Sequence, residues 1–377
     1  MFIYDTILTA DEICNLKQER ETLLKAADRK KNLVIFGPRN SGKTSLLKSV
    51  IIPEFERRHK RSFTLFCDLM GVKSAEMIHA RIETAFKQAF AHAFPKKALY
   101  EKAKEFLKSL HPTLEFDPLT GEPSLSLASG SKEKHITFTE IFSVIETEIA
   151  PRYPTLIVID EFQDIAEVTD ASFVLGEIRN SFQKQDQAAI FLMGSKSHLL
   201  SRLFSQPRAP LAHFGEDLLF TPIDYAEYHK YMQERFSKKK IKISLEVSIF
   251  LQNQMGRIPE PINIVCNELY EKHEHCSLSE SDVIHGMLDV LNRRQSRFES
   301  YFSQFSENEQ MILKALADAD FVSAPNGKAF LSTISLTART VTAILKILMN
   351  QGVVEQVTGS GYCVSDPLHR LYLKRYR

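Results

Sequence analysis

Through the first half of the chain, short unbroken apolar runs alternate with stretches whose apolar residues recur every three or four positions. The runs are Leu33 to Phe36, Phe63 to Asp68, Leu156 to Ile159 and Ala189 to Met193, and they read as strands buried on both faces. Between them a helical period is kept by Leu46, Leu47 and Val50, by Met77, Ile78, Ile82 and Phe86, and by the segments Ile141 to Ile149 and Phe173 to Phe182. Helices between buried strands are crossovers, so the pattern predicts a parallel sheet, completed by a last strand over Asp217 to Ile223. The pattern weakens between residues 92 and 134, read as an insertion on the sheet. It predicts a helix over Ala98 to Leu110 and a small hairpin of Leu114 to Phe116 and Ser124 to Leu127, turning at Asp117-Pro118-Leu119-Thr120-Gly121.

From Asp224 the strand signal disappears and helices are expected over Tyr225 to Phe236, Leu245 to Met255, Pro261 to Tyr270 and Ser281 to Leu291. Gly256-Arg257-Ile258-Pro259 separates two of them. Further on, Ser306-Glu307-Asn308-Glu309 fits a capping box before a helix with Ile312, Leu313 and Leu316 apolar. Another helix begins at Ser335, carries Val341, Ile344, Leu345 and Leu348 on one face, and ends at Gly352. Val353 to Val357 and Tyr362 to Val364, joined by Thr358-Gly359-Ser360-Gly361, then form a hairpin, and helices followed by such a hairpin suggest a winged helix-turn-helix. The expected division is a core over 1–223, a helical lid over 224–297 and a winged-helix domain over 298–377.

With 377 residues the chain is long enough for two or three domains. Its 48 basic and 47 acidic side chains leave a net charge of +1, so any nucleic-acid contact has to be local. The five cysteines, Cys14, Cys67, Cys266, Cys276 and Cys363, are scattered and never form a C-x-x-C pair, which argues against a disulfide framework and a zinc module and for a reducing compartment. His273, His275 and Cys276 crowd together without a second ligand pair at zinc-site spacing, so a solvated turn is the simpler reading. No apolar stretch approaches a membrane span and the N-terminus has no export pattern, which points to a cytoplasmic protein.

The chemistry concentrates in Gly37-Pro38-Arg39-Asn40-Ser41-Gly42-Lys43-Thr44, which fits G-x-x-x-x-G-K-[ST] directly after an expected strand. Two glycines let the backbone curl so that successive N–H groups point inward, and the helix that starts near Lys43 adds its positive dipole end. The cradle suits a triphosphate: Lys43 would reach its β and γ phosphates, Thr44 would ligate Mg²⁺, and Ser45 follows in the helix. A Mg²⁺ site needs an acidic partner at the end of a neighbouring strand, and hydrolysis needs a group that orients water. Thr155-Leu156-Ile157-Val158-Ile159-Asp160-Glu161 supplies both, Asp160 for the metal and Glu161 for the water. No N-K-x-D segment is present, which favours ATP over GTP.

These motifs, in this order, resemble the archaeal-type ATPases of the AAA+/STAND group, which join a P-loop core, a helical lid and a winged helix. The resemblance covers nearly the whole chain and rests on Arg20-Glu21, Gly37 to Thr44, Asp160-Glu161-Phe162-Gln163, Gly194-Ser195, Gly256 to Pro259 and Asp366-Pro367-Leu368. It implies ATP binding coupled to rearrangement of the lid and winged helix, with Pro259 near the adenine. It also implies a polar γ-phosphate sensor at the end of the strand beside the Mg²⁺ aspartate. Ser195 is that candidate and Lys196 the second, and Ser195 reads equally well as the cap of the next helix.

The chain departs from the family pattern where an arginine often follows a Pro-Leu pair: Pro210-Leu211 leads into Ala212-His213-Phe214-Gly215-Glu216. Arg202 or Arg208 would have to serve as the transition-state cation, unless both are surface residues, and slow hydrolysis is expected. In the winged helix, Thr337, Arg339, Thr340 and Lys346, with Arg370, Lys374, Arg375 and Arg377 of the tail, could contact duplex DNA. Glu307, Glu309, Asp318, Asp320, Glu355 and Asp366 offset that charge and leave a protein partner or autoinhibition as an equal alternative. Three functions therefore stand: an ATP-driven switch, an ATP-dependent DNA-binding factor, and a nucleotide-bound scaffold that does not hydrolyse. The oligomeric state stays open.

Overall fold

The computed structural model describes residues 1–94, 114–116, 123–125, 136–195, 197–205, 209–212, 214–357 and 361–376. The expected helix over Ala98 to Leu110, the turns at Asp117 and Thr358, and Lys196, Arg208, His213 and Arg377 lie outside the described residues. The chain divides into two compact units, Ile7–Thr221 and Met1–Thr6 with Pro222–Arg377.

The first unit is built on a five-stranded parallel sheet. Its strands are β1 (Leu33–Phe36), β2 (Phe63–Asp68), β5 (Thr155–Asp160), β6 (Ala188–Gly194) and β7 (Glu216–Leu219), in the order β2-β5-β6-β1-β7; β3 (Leu114–Phe116) and β4 (Pro123–Leu125) form a separate antiparallel pair. Position in the sheet explains composition. The central strands β5 and β6 are buried at every residue and are almost wholly apolar, whereas β7, at the edge, is exposed at Glu216, Asp217 and Leu219. β7 is shorter than the expected strand over Asp217 to Ile223, because the chain leaves the sheet after Leu219.

Because β6 lies between β1 and β5, the carboxyl ends of these three strands are neighbours. Phe36 pairs with Gly194, and Asp68 of β2 pairs with Asp160 of β5. Ligands of open α/β sheets bind at this edge. The helix after β1 runs Lys43–Leu46, widens through one π-type turn at Leu47–Ile51, and continues as Ile52–Arg58. Pro53 explains the widening, since it has no N–H to donate and its ring would collide with a carbonyl one turn back. Ser74 caps the helix Ala75–Ala93, and Thr137 with Glu140 forms a capping box at Phe138–Val144. Phe138, Phe142 and Phe182, with ring centroids 4.2 to 5.7 Å apart, fill the layer beneath them.

In the second unit the helices Tyr225–Phe236, Leu245–Gln254, Pro259–Lys272 and Glu280–Arg293 fall where the sequence pattern puts them. A parallel pair, β8 (Lys242–Ile243) and β9 (Ser277–Leu278), was not expected, each strand being too short to show a period. Phe2 is fully buried here, 4.8 Å from Phe236, and the Phe2 N–H donates to Asn267 Oδ1. The C-terminal part holds helices Glu307–Ala319, Lys328–Leu331 and Ala338–Asn350, then the antiparallel pair β10 (Val354–Val357) and β11 (Gly361–Val364), with Val322 bridging to Tyr362. That is a winged helix. The third of these helices starts at Ala338 rather than Ser335 because Thr337 is its cap, accepting from the Thr340 N–H. A closing helix, Pro367–Tyr376, capped by Asp366, stacks Tyr372 against Phe298 and Phe302 of the helix Gln295–Phe302.

Candidate nucleotide site

The loop after β1 curls as its glycines require. Asn40 and Gly42 are left-handed (φ 63° and 89°), and Gly42 stands directly before the first helical residue. Lys43 is almost completely buried, and its ammonium donates to Gly37 O at 2.8 Å, Pro38 O at 2.6 Å and Ser41 Oγ at 3.3 Å. The loop therefore wraps one positive charge. Burial lowers the Lys43 pKa to about 8, opposed by the nearby carboxylates of Glu161 and Asp160.

Thr44 donates its hydroxyl to Asp160 Oδ2 at 2.6 Å. Asp160 is itself buried, and that burial raises its pKa against the opposing effect of the Thr44 hydrogen bond. The next residue, Glu161, is left-handed (φ 50°, ψ 38°), a conformation that costs a non-glycine residue about 1–3 kcal/mol and collects at functional sites. That bend turns the chain off the strand into the short helical turn Phe162–Glu167. Ser195, just past β6, donates to Glu161 Oε2 at 2.9 Å and lies 3.3 Å from Oε1.

The structure thus brings Lys43, Thr44, Asp160, Glu161 and Ser195 together at one edge of the sheet. Arg39 and Asn40 are exposed on the loop, and Pro38, Ser41 and Gly42 are partly covered. Ser45 is buried with its hydroxyl turned away, accepting from the Leu8 N–H at 3.1 Å, so only its backbone N–H is left for a ligand. Arg202 is exposed on the helix Ser197–Phe204. Pro259 belongs to the second unit, as the first residue of Pro259–Lys272, and its carbonyl accepts from the Tyr228 hydroxyl at 3.2 Å. Gly256 and Arg257 before it are both left-handed, which makes the break between the two helices.

Sequence reasoning gave Gln163 no role. Its side chain is fully buried, and its amide donates both to Glu161 Oε2 and, at 3.1 Å, to Asp164 Oδ1, while Asp164 Oδ2 accepts from the Gly71 N–H at 2.8 Å. The only available signal was a glutamine two residues after Glu161. Its meaning depends on the left-handed bend, which no period reveals.

A family model described as an ATPase domain predominantly from Archaea matches residues 15–248. The chain belongs to that ATPase family. A second family model, for a winged helix domain, matches residues 296–375 of the same chain. An uncharacterized ATP-binding protein of Methanocaldococcus jannaschii is 22% identical over 291 residues, covering 75% of this chain and 78% of the relative. Among solved structures, the Walker-type ATPase of Pyrococcus abyssi superposes with a TM-score of 0.65 at 15% identity, covering 99% of both chains. The ORC2 protein of Aeropyrum pernix, solved as ADPNP-ADP complexes, does so at 0.54 and 13% identity over 98% of this chain and 94% of the other. The ORC1 protein of the same organism, solved with DNA, reaches 0.50 at 13% identity over 97% and 95%. These likenesses concern the fold, which is that of a P-loop NTPase carrying a C-terminal winged helix.

In this ATPase-family chain the tail cations are partly spoken for. Lys374 pairs with Asp320 at 2.7 Å and Arg370 reaches it at 3.7 Å, while Arg339 and Lys346 are exposed, seven residues apart on the helix Ala338–Asn350. Among the described residues no helix is long and apolar enough to cross a membrane.

Proposed function

We propose that the protein is a slow Mg²⁺-dependent ATPase that works as a nucleotide-driven switch. The observation that carries this reading is the 2.6 Å bond between Thr44 and Asp160 beside the buried Lys43 ammonium. A hydroxyl and a carboxylate are hard oxygen donors. Among the described residues no cluster of three or more His, Cys, Asp or Glu could hold a metal by itself. An ion held by Thr44 and Asp160 therefore needs phosphate oxygens and water to complete its shell, which is how Mg²⁺ binds. Once bound, Mg²⁺ would neutralise charge developing on the phosphates.

Each residue has its own share of the work. Backbone N–H groups from Gly37 to Ser45, Pro38 excepted, donate to phosphate oxygens, and Lys43 exchanges its loop carbonyls for the β and γ phosphates. Glu161 orients the attacking water, Ser195 senses the γ-phosphate, and Arg202 is the candidate for the transition-state cation. The parts that respond are the core, which as a compact unit spans Ile7–Thr221, the lid over 224–297 and the winged helix over 298–377. A cytoplasmic setting fits five thiols, none of them joined in a disulfide.

A second reading, an ATP-dependent DNA-binding factor, is supported by the exposed Arg339 and Lys346 and by the fold shared with an ORC1 protein solved in complex with DNA. A protein partner or autoinhibition is its competitor on the same face. Calorimetric titration with ATP and Mg²⁺ tests the first reading. Wild type should bind and Lys43→Ala should lose about 10- to 100-fold in affinity, the worth of hydrogen bonds to a charged group. Equal affinities would reject it.

A further inference from the structure

Glu161 has two oxygens, and the structure treats them differently. Oε2 accepts from both the Ser195 hydroxyl, at 2.9 Å, and the Gln163 amide, whereas among the described residues Oε1 has only the long 3.3 Å approach of Ser195. The orientation of Gln163 is forced. Its amide nitrogen faces two carboxylates, those of Glu161 and Asp164, so a flipped carboxamide would set oxygen against two anions. Gln163 Oε1 is left buried with no hydrogen-bond partner among the described residues. It occupies the space where a side chain would begin at Gly194: a Cβ added there would fall 1.9 Å from Gln163 Oε1 and 2.8 Å from Leu200 Cδ1. Gly194 is the last residue of β6, immediately before Ser195, so the carboxamide is wedged between the sensor strand and Glu161. A buried amide with an orphaned oxygen is costly, and such groups persist where the surrounding structure holds them for a purpose.

We propose that Gln163 is the positioning residue for Glu161. It anchors Oε2 and thereby makes Oε1 the oxygen presented to the attacking water. This rests on the reading of Glu161 as the water-orienting group. When Ser195 turns its hydroxyl to a γ-phosphate, Gln163 is the donor that keeps the carboxylate from rotating. No bond is made or broken by Gln163, and its effect passes wholly through Glu161.

The test is steady-state hydrolysis by the full chain, with ATP affinity measured separately. Gln163→Met keeps the length and bulk of the side chain but removes the donor. It should lower kcat about 10- to 100-fold, the scale of a misplaced catalytic group, with ATP affinity unchanged. Gly194→Ala displaces the same carboxamide and presses on Leu200 while leaving Gln163, Glu161 and Ser195 unsubstituted, and should lower kcat in the same direction. It keeps the question answerable if Gln163→Met fails to fold. A merely structural role would move affinity and kcat together or neither. Wild-type turnover with kcat unchanged in either variant would overturn the proposal while leaving the hydrolytic reading intact. Wild-type ATP binding without turnover would overturn both.

Discussion

Thr44 and Asp160, 116 positions apart in the chain, share a 2.6 Å hydrogen bond because β6 brings the end of β5 beside the helix that follows β1. The Thr44 hydroxyl lowers an Asp160 pKa that burial has raised. Thr44→Val should therefore push that carboxyl further up, so that Asp160 protonates at higher pH and the acid limb of Mg²⁺-dependent turnover moves toward neutrality. Thr44→Ser should restore the limb, and the loss of stability in the valine variant should be about 1–3 kcal/mol, the cost of leaving a buried acceptor without its donor. Turnover profiles of the three proteins against pH check this.

Lys43 gives a second pH dependence with the opposite sense. Its pKa in the fold is about 8 against an ordinary 10.5, so the fold opposes the ammonium while polyphosphate favours it. Nucleotide binding should then take up a proton above about pH 8, and affinity should weaken as the pH rises further. The burial penalty on stability is present in full below the folded pKa and is relieved as pH rises toward the unfolded one. Titrations at pH 8.5 in two buffers of different ionisation enthalpy should show proton uptake, and those at pH 6.5 should show none.

The cysteines make an independent check on the packing. Cys14, Cys67, Cys266 and Cys363 are buried, and burial pushes the Cys67 and Cys363 thiols up to about 12, whereas Cys276 is half-exposed. A thiol reagent should label Cys276 alone in the native protein, and all five sites only after denaturation.

The DNA-binding reading is decided by salt. If Arg339 and Lys346 each contact a phosphate, duplex binding should weaken steeply as salt rises. Arg339→Ala with Lys346→Ala should then reduce the slope of log affinity against log salt by about 2. No binding at low salt would direct the search to a protein partner.

Much of this was legible in the residues. Leu33 to Phe36 and Phe63 to Asp68 form strands at the boundaries their apolar runs suggest, and Glu307–Ala319 starts at its capping box. Lys43, Thr44 and Asp160 could be paired in advance, because a phosphate loop and an acidic strand end imply each other. What escaped depended on close approach rather than period. β8 and β9 are two residues long, the burial of Phe2 against Phe236 joins distant parts of the chain, and the turning of Ser45 toward Leu8 is a matter of side-chain direction. Gln163 was hidden for the same reason, since its contact with Gly194 follows from the bend at Glu161.

The most direct measurement is Mg²⁺-dependent phosphate release by wild type and Glu161→Gln, with bound ATP quantified in parallel. Release by wild type and a loss of about 10²- to 10⁴-fold in the variant, with ATP still bound by both, is the expected result. Equal release from the two proteins would contradict the assignment of Glu161 and, with it, the reading of this sheet edge as a hydrolytic site.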